Sequence, residues 1–136
     1  MDPTIDDLGI VDSIKDLIEN INLTQTIFVE FFVDTSIEEL MTKDQKLATF
    51  RIIQESLNNV LKHAKATNVT IDLFHKNNIA ELTVKDDGIG FSATLVKKGA
   101  GLKNIQNRVY LINGEHNIHS QPGQGCKILI KFPLYN

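Results

Sequence analysis

The chain has 136 residues, of which 42% are hydrophobic and 23% charged, and this composition is typical of one soluble domain without room for a second. No stretch reaches the roughly 18 consecutive apolar residues of a membrane-spanning helix, and the N-terminus lacks a secretory pattern, so we expect a soluble chain without membrane contact. The net charge of −3 with scattered basic residues argues against nucleic acid binding, and the single cysteine excludes an internal disulfide and a multi-cysteine metal site.

The first third of the chain predicts a helix, a strand and a turn. Apolar residues recur at helical spacing from Asp12 to Ile21, which indicates a short amphipathic helix. The segment Thr26 to Asp34 is rich in β-branched and aromatic residues and predicts a buried strand. Ser36 to Met41 is predicted to be a turn.

The longest helical pattern begins at Thr42 and continues to about Ala64. Thr42 and Gln45 form a T-x-x-Q arrangement, which can satisfy free backbone donors at a helix start. The side chains predicted to face the core are Phe50, Ile53, Leu57, Val60, Leu61 and Ala64. The opposite side is polar and carries Glu55, Asn59 and Lys62, with Asn58 and His63 at its margins.

The second half of the chain predicts four strands and one helix. The strands are Asn68 to Phe74, Ile79 to Val84, Glu115 to Ser120 and Lys127 to Phe132. The helix begins near Leu102 and ends at Asn113-Gly114. We therefore predict an α/β two-layer sandwich, in which the helices pack on one face of a mixed, largely antiparallel sheet.

The polar side of the long helix is the first candidate site. Glu55 and Asn59 lie one turn apart, and Lys62 follows on the same stripe. An amide oxygen can hold Mg²⁺, a carboxylate can orient a hydroxyl or water, and an ammonium can meet a phosphate. Taken alone, the same triplet is also typical of a solvated helix face.

The second candidate is Asp86-x-Gly88-x-Gly90, which follows an apolar strand directly. Two glycines two residues apart let a flat ligand approach the backbone closely, because no Cβ stands in the way. The Asp86 carboxylate is an acceptor that suits the exocyclic amine of adenine and opposes the carbonyl oxygen of guanine. The alternative for this motif is a turn that ends a strand.

Two further glycine motifs follow. Gly99-Ala100-Gly101-Leu102 opens the next helix, where free amides and the helix dipole favour a phosphate, although such a motif can also be a simple connection. The preceding segment, Phe91 to Lys98, is a candidate lid that brings Lys97 and Lys98 near the phosphates. Gly123-Gln124-Gly125 can simply turn a hairpin.

The order and separation of these four motifs resemble the ATP-binding catalytic domain of the GHKL superfamily, which includes histidine kinases, type II topoisomerase subunits, Hsp90 chaperones and MutL proteins. Phe50 to Ala64 is similar to the N box of sensor histidine kinases of the NarX/DesK type, Asp86 to Phe91 to their G1 box and Gly99 to Leu102 to their G2 box. Pro3 to Val11 resembles the segment that follows the phosphoacceptor helices in that family.

The resemblance implies the Bergerat fold, ATP and Mg²⁺ as cofactors, and a role for each matching residue. Asn59 would hold Mg²⁺, and Glu55 would orient the attacking nucleophile. The residues implied near the phosphates are Lys62 and His63. The residues implied around adenine and at the lid anchors are Asp86, Gly88, Gly90, Gly99, Gly101, Leu102 and Gly125.

Two departures from the family pattern bear on function. The last glycine motif of the family ends in Thr, whereas Cys126, a poorer hydrogen-bond partner, follows Gly125 here. The helix that carries the phosphoacceptor histidine is not in this sequence, and the resemblance implies that residues 1–11 are the remainder of its linker in a single domain of residues 1–136. We therefore expect a monomeric, cytoplasmic catalytic domain that acts on a separate phosphoacceptor domain, with a response regulator downstream.

Two other functions stay open at this point. A Ser/Thr protein kinase of the anti-sigma-factor type shares this fold, although Lys62-His63-Ala64 and Pro3 to Val11 favour the histidine kinase. A non-catalytic nucleotide-binding module is the other alternative, against which Glu55 and Asn59 argue.

Overall fold

The computed structural model describes residues 3–64, 66–88, 100–120 and 123–135, with the backbone alone for 3–8, 63–64 and 100–101. The elements in chain order are α1 (Pro3–Leu23), β1 (Phe28–Val33), α2 (Ile37–Leu40), α3 (Lys43–Asn59), a π-helical turn (Val60–Ala64), β2 (Asn68–Lys76), β3 (Ile79–Asp86), α4 (Ala100–Leu111), β4 (Glu115–Ser120) and β5 (Cys126–Pro133). All predicted helices and strands within these ranges are present, and their ends differ by a few residues except at the start of α1, which lies at Pro3 and not at Asp12.

The five strands form one sheet in the order β1-β2-β3-β5-β4. β1 pairs with β2 in parallel, and the other three pairings are antiparallel. This arrangement confirms the prediction of a mixed, largely antiparallel sheet. Because Asp86 pairs with Cys126 in the β3–β5 register, the end of β3 lies beside the start of β5.

One face of the sheet packs against the helices and the other faces solvent. Alternate residues of β2, such as Ile71 and Leu73, are fully buried, as the twofold side-chain period of a half-covered strand requires. Ile53 of α3 and Ile105 of α4 belong to the same core, and α3 packs directly against α4. The predicted two-layer sandwich is therefore confirmed.

The predicted capping box at the start of α3 is present. The Thr42 side chain accepts from the Gln45 N–H at 3.1 Å, and the Gln45 side chain accepts from the Thr42 N–H at 3.1 Å. Gln45 also donates from Nε2 to the Pro133 carbonyl at 2.7 Å, which joins α3 to the end of β5. The start of α3 is thus stabilised by its own capping box and by a hydrogen bond to the sheet.

One residue that was predicted to face the core, at the C-terminal end of the long helix, is exposed in the structure. Phe50, Ile53, Leu57 and Val60 are buried as predicted, but Leu61 is 42% exposed. The reason is the π-helical turn from Val60 to Ala64, which holds more residues per turn than an α-helix and rotates the following side chains away from the predicted stripe. The side chain of Ala64 lies outside the described residues.

Two N-terminal segments also differ from prediction. α1 begins at Pro3 rather than at Asp12, and it is interrupted at Gly9, where φ is 83° and ψ 169°. The segment predicted to be a turn after β1 contains the short helix α2, whose Ile37 is fully buried. No helix in the described ranges combines the length and the apolar character needed to cross a membrane.

Candidate functional site

Asp86 is a buried carboxylate at the end of β3. Asp86 is only 7% exposed, and its Oδ1 accepts a hydrogen bond from the Gly88 N–H at 2.9 Å. Burial raises the pKa of this carboxyl, against the lowering effect of the bond from Gly88, and the charge of Asp87 adds to the rise. Burying a carboxylate destabilises the folded protein unless hydrogen bonds from the protein or from a ligand compensate for the lost hydration.

Gly125 allows the start of β5 to approach Asp86. The residue has φ +76°, and a Cβ at this position would overlap the Asp86 carbonyl oxygen. Gly123 shares the positive φ, +80°, but a Cβ there would meet nothing within 4 Å. The second glycine of Gly123-Gln124-Gly125 is therefore required by close packing at the site, whereas the first serves the turn alone.

Cys126 lies beside the same carboxylate. The residue is 6% exposed, and burial raises the pKa of its thiol to about 11, with the charge of Asp86 adding to the effect. The hydrogen bond with the Ser120 side chain acts in the opposite direction. The thiol is thus protonated at neutral pH and can act only as a weak hydrogen-bonding group.

A pocket of about 270 Å³ opens at this end of the sheet. Its lining residues are Lys85, Asp86, His119, Ser120, Gln124, Gly125, Cys126 and Lys127. A larger depression of about 400 Å³ lies at the opposite end, where Ile79 pairs with Pro133, and its lining includes none of the predicted site residues. The smaller pocket borders the candidate site, because Asp86 is one of its lining residues.

The neighbouring carboxylate, Asp87, has a structural role that the sequence analysis missed. It accepts from the Thr67 N–H at 2.8 Å and from the Asn68 N–H at 2.9 Å, and both side chains add a further bond. These bonds hold the pKa of Asp87 well below its usual range. Asp87 therefore fastens the end of β3 to the start of β2, whereas the Asp86 carboxylate is buried and accepts from Gly88.

The polar side of α3 lies beside α4. Glu55 and Asn59 are partly exposed, and Lys62 on the π-helical turn is exposed. Glu55 Oε1 accepts a weak hydrogen bond from Asn104 Nδ2 at 3.4 Å, which links the two helices. Asn104 was not predicted as a site residue from the sequence. The only signal that could have identified it is its position on the helix that follows the glycine motif.

Part of the predicted site lies outside the described residues. This applies to Gly90, Gly99, the lid segment from Phe91 to Lys98 and the side chain of His63. Gly101 lies in the first turn of α4, and the side chain of Leu102 beside it is buried, with 4% of the residue exposed.

A serine, a histidine and an aspartate also meet away from this site. The Ser36 hydroxyl lies 2.8 Å from His75 Nε2, and Asp34 Oδ2 lies 3.4 Å from the same nitrogen. In a catalytic triad the carboxylate holds the other ring nitrogen, so this cluster lacks triad geometry. It joins the end of β1 to β2 at the surface.

The sequence of residues 44–136 matches the family described as "Histidine kinase-, DNA gyrase B-, and HSP90-like ATPase" (HATPase_c). The match covers more than half of the chain, so the chain belongs to this family of ATP-binding domains. The predicted GHKL membership is thereby confirmed, and the buried aspartate and the glycine motifs of the site lie within the matched range.

Within the family the chain is similar to sensor histidine kinases. It is 32% identical over 131 residues to the signal transduction histidine-protein kinase/phosphatase DegS of Brevibacillus brevis, covering 96% of this chain and 34% of that protein. It is 34% identical over 134 residues to the sensor histidine kinase LiaS of Bacillus subtilis, covering 97% and 36%. The chain therefore spans about a third of the length of the curated relatives it matches.

Solved structures agree on the fold. The histidine kinase AdeS of Acinetobacter baumannii superposes with a TM-score of 0.72 at 16% identity, over 94% of this chain and 64% of that one. A histidine kinase domain from Erythrobacter litoralis superposes with a TM-score of 0.69 at 22% identity, over 90% and 58%. These superpositions confirm the fold alone, whereas the family match and the similarity to DegS and LiaS show that the chain corresponds to the ATP-binding catalytic domain of a sensor histidine kinase.

Proposed function

We propose that the chain binds Mg²⁺-ATP and transfers its γ-phosphoryl group to a histidine on a separate domain, within two-component signal transduction. The observation that carries the proposal is Asp86, a buried carboxylate at the end of β3 where Gly125 makes its close approach. Similarity to DegS and LiaS, both described as histidine kinases, supports the choice of a histidine as the acceptor.

Asp86 is the proposed reader of adenine. A carboxylate accepts from the exocyclic amine of adenine but repels the carbonyl oxygen that guanine has at that position. Gly88 supports this role, since its N–H already holds Oδ1 in one orientation. Gly125 supports it as well, because a side chain there would push β5 away from the Asp86 carbonyl.

The polar side of α3 is the proposed phosphate side. Asn59 offers an amide oxygen, the type of ligand that Mg²⁺ takes, and the ion would neutralise charge on the phosphate oxygens when bound. Glu55 orients the incoming nucleophile, and the exposed Lys62 reaches the phosphates from the helix end. Positioning and charge neutralisation supply most of the rate in phosphoryl transfer. The remaining proposed ligand-binding residues are His63, Gly90, Gly99, Gly101 and Leu102.

The proposed partners follow from this reaction. The acceptor is the histidine-bearing dimerisation domain of the whole protein, and a response regulator takes the phosphoryl group next. We propose that residues 1–11 are the linker from that domain to a single catalytic domain, that the isolated domain is a cytoplasmic monomer, and that it contacts neither nucleic acid nor membrane.

The adenine assignment is tested with Asp86→Asn in calorimetric titrations of Mg²⁺-ATP. Loss of the charged acceptor should weaken binding by about ten- to a hundredfold, equivalent to ~1–3 kcal/mol. Asp87→Asn is the matched control, since that carboxylate is occupied by Thr67 and Asn68, and its folded protein should bind ATP like the parent. Unchanged affinity of Asp86→Asn would refute the assignment.

The acceptor is tested separately by incubating the chain with γ-labelled ATP and the histidine-bearing helical domain of a relative such as DegS. Acid-labile, alkali-stable label on that domain supports phosphohistidine. Acid-stable label on a serine or threonine would instead favour a protein kinase of the anti-sigma-factor type. Tight ATP binding with no transfer at all would favour a non-catalytic nucleotide-binding module.

A further inference from the structure

The break in α1 at Gly9 coincides with a contact from a distant helix. The Glu38 carboxylate, on α2, accepts from the Ile10 N–H through Oε2 at 2.9 Å and from the Val11 N–H through Oε1 at 3.0 Å. The first amides of a helix have no partner inside that helix, so Glu38 caps the segment that starts after Gly9 from 28 residues away in sequence.

The same two amides would have other partners if α1 were continuous. In an unbroken α-helix the N–H of Ile10 bonds to the carbonyl of Asp6, and that of Val11 to the carbonyl of Asp7. Glu38 therefore competes with the helix for these donors. The structure shows the broken arrangement, in which Glu38 takes the two donors that a continuous helix would use internally.

Gly9 makes the broken arrangement possible. Its φ of +83° lies in the region that side chains rarely adopt, and a Cβ there would come within 2.9 Å of Glu38 Oε1. The Gly9 carbonyl in turn accepts from the Ser13 hydroxyl at 2.7 Å. Both the backbone angle and the space for the carboxylate thus depend on the missing side chain.

The part of α1 after the break is firmly attached to the domain. Ile10 and Ile14 of α1 and Ile37 of α2 are fully buried. Lys46 of α3 lies 3.4 Å from Glu38 Oε2 and holds the carboxylate from the other side. The cap therefore lies on a part of the domain that packing and an ion pair hold in place.

We infer that Gly9 and Glu38 form a joint that sets the direction in which the helical segment 3–8 leaves the domain. With the Glu38 bonds made, the segment turns at Gly9; with them broken, α1 straightens into one helix. If residues 1–11 are the linker to a phosphoacceptor domain, the joint decides how that domain is presented to the nucleotide. This use rests on the proposed function, whereas the joint itself does not.

The joint is tested by NMR on the whole chain without nucleotide. Amide exchange at Ile10 and Val11 reports the cap, and residual dipolar couplings report the angle between residues 4–8 and 12–22. Glu38→Ala should either speed amide exchange at Ile10 and Val11 by at least about tenfold or give these amides the protection pattern of a continuous helix. In both cases the angle between residues 4–8 and 12–22 should change. Gly9→Ala should change the angle in the same direction.

Two variants keep the result interpretable. Glu39→Ala removes an exposed carboxylate from the same short helix and should leave both measurements unchanged. Glu38→Gln keeps the side-chain volume, folds if Glu38→Ala does not, and should show an intermediate effect because only its carbonyl oxygen accepts. Wild-type couplings in both Glu38 variants would overturn the inference, whatever the chain does with ATP.

Discussion

The backbone of Gly125 approaches the carbonyl group of Asp86 so closely that a Cβ on residue 125 would overlap the carbonyl oxygen. Asp86 ends β3 and Cys126 opens β5 in the same register, so the close approach joins the two strand ends that flank the pocket. The contact joins the last glycine motif of the chain to the backbone of the residue that carries the buried carboxylate.

Gly125→Ala should destabilise the protein more than Gly123→Ala. Both positions have positive φ and pay the strain of a side chain there, about 1 kcal/mol or more, but only Ala at 125 also meets the Asp86 backbone. We expect an additional loss of about 1–3 kcal/mol and weakened ATP binding. Urea unfolding and nucleotide titration of the two variants measure this, and equal stability of both variants would contradict the contact.

Asp86 and Asp87 should contribute to stability with opposite signs. Because the pKa of Asp87 is lowered in the folded protein, the unfolded chain takes up a proton at a higher pH than the folded protein does. The contribution of Asp87 to the free energy of unfolding is therefore complete above the ordinary pKa of 3.8 and is lost as the pH falls below it. Because the pKa of Asp86 is raised in the folded protein, the folded protein takes up a proton at a higher pH than the unfolded chain does. The contribution of Asp86 to the free energy of unfolding therefore becomes more favourable as the pH falls through that raised pKa.

At neutral pH, Asp87→Asn should therefore lower the free energy of unfolding, by ~1 kcal/mol because solvent screens this exposed group. Asp86→Asn should leave the free energy of unfolding unchanged or raise it, while weakening ATP binding. Urea unfolding at pH 7 and pH 4 tests both, and a loss of stability in Asp86→Asn would argue that its carboxylate is structural.

Cys126→Thr should strengthen ATP binding. A hydroxyl forms a better hydrogen bond than the thiol, and the side chain at this position lies against Asp86 and Ser120. One added hydrogen bond is worth ~1 kcal/mol, or about fivefold in affinity. Cys126→Val, which has the shape of Thr without the hydroxyl, is the control; if Val and Thr bind ATP equally, the hydroxyl has no role.

Glu55→Gln should slow phosphoryl transfer without weakening ATP binding. A carboxylate that orients a nucleophile acts on the chemical step, and its loss typically costs ~10²-fold or more in rate. Single-turnover transfer to a histidine-bearing domain, together with an ATP titration, separates the two effects. Asn104→Ala removes only the weak 3.4 Å partner of Glu55 and should change the rate by a small factor. Full activity of Glu55→Gln would remove Glu55 from the reaction.

The sequence by itself determined the fold class and most of the elements, and its choice of site residues stays a prediction. Helical and strand periodicity report burial directly, and the T-x-x-Q capping box at Thr42 depends on residues three apart, so local patterns were sufficient. Asp86 and its glycines are site candidates in the sequence because they form one short motif at the end of an apolar strand.

Only the tertiary structure decided which neighbours these residues meet. The clamp of Asp87 on Thr67 and Asn68 and the cap of Glu38 on Ile10 and Val11 join residues about 20 and 28 positions apart, and no local pattern predicts such a pairing. The exposed Leu61 has a similar cause, because a π-helical turn changes the phase of the helix without a signal in hydrophobic spacing. Long-range hydrogen bonds and helix phase depend on how the layers pack, and packing exists only in the folded chain.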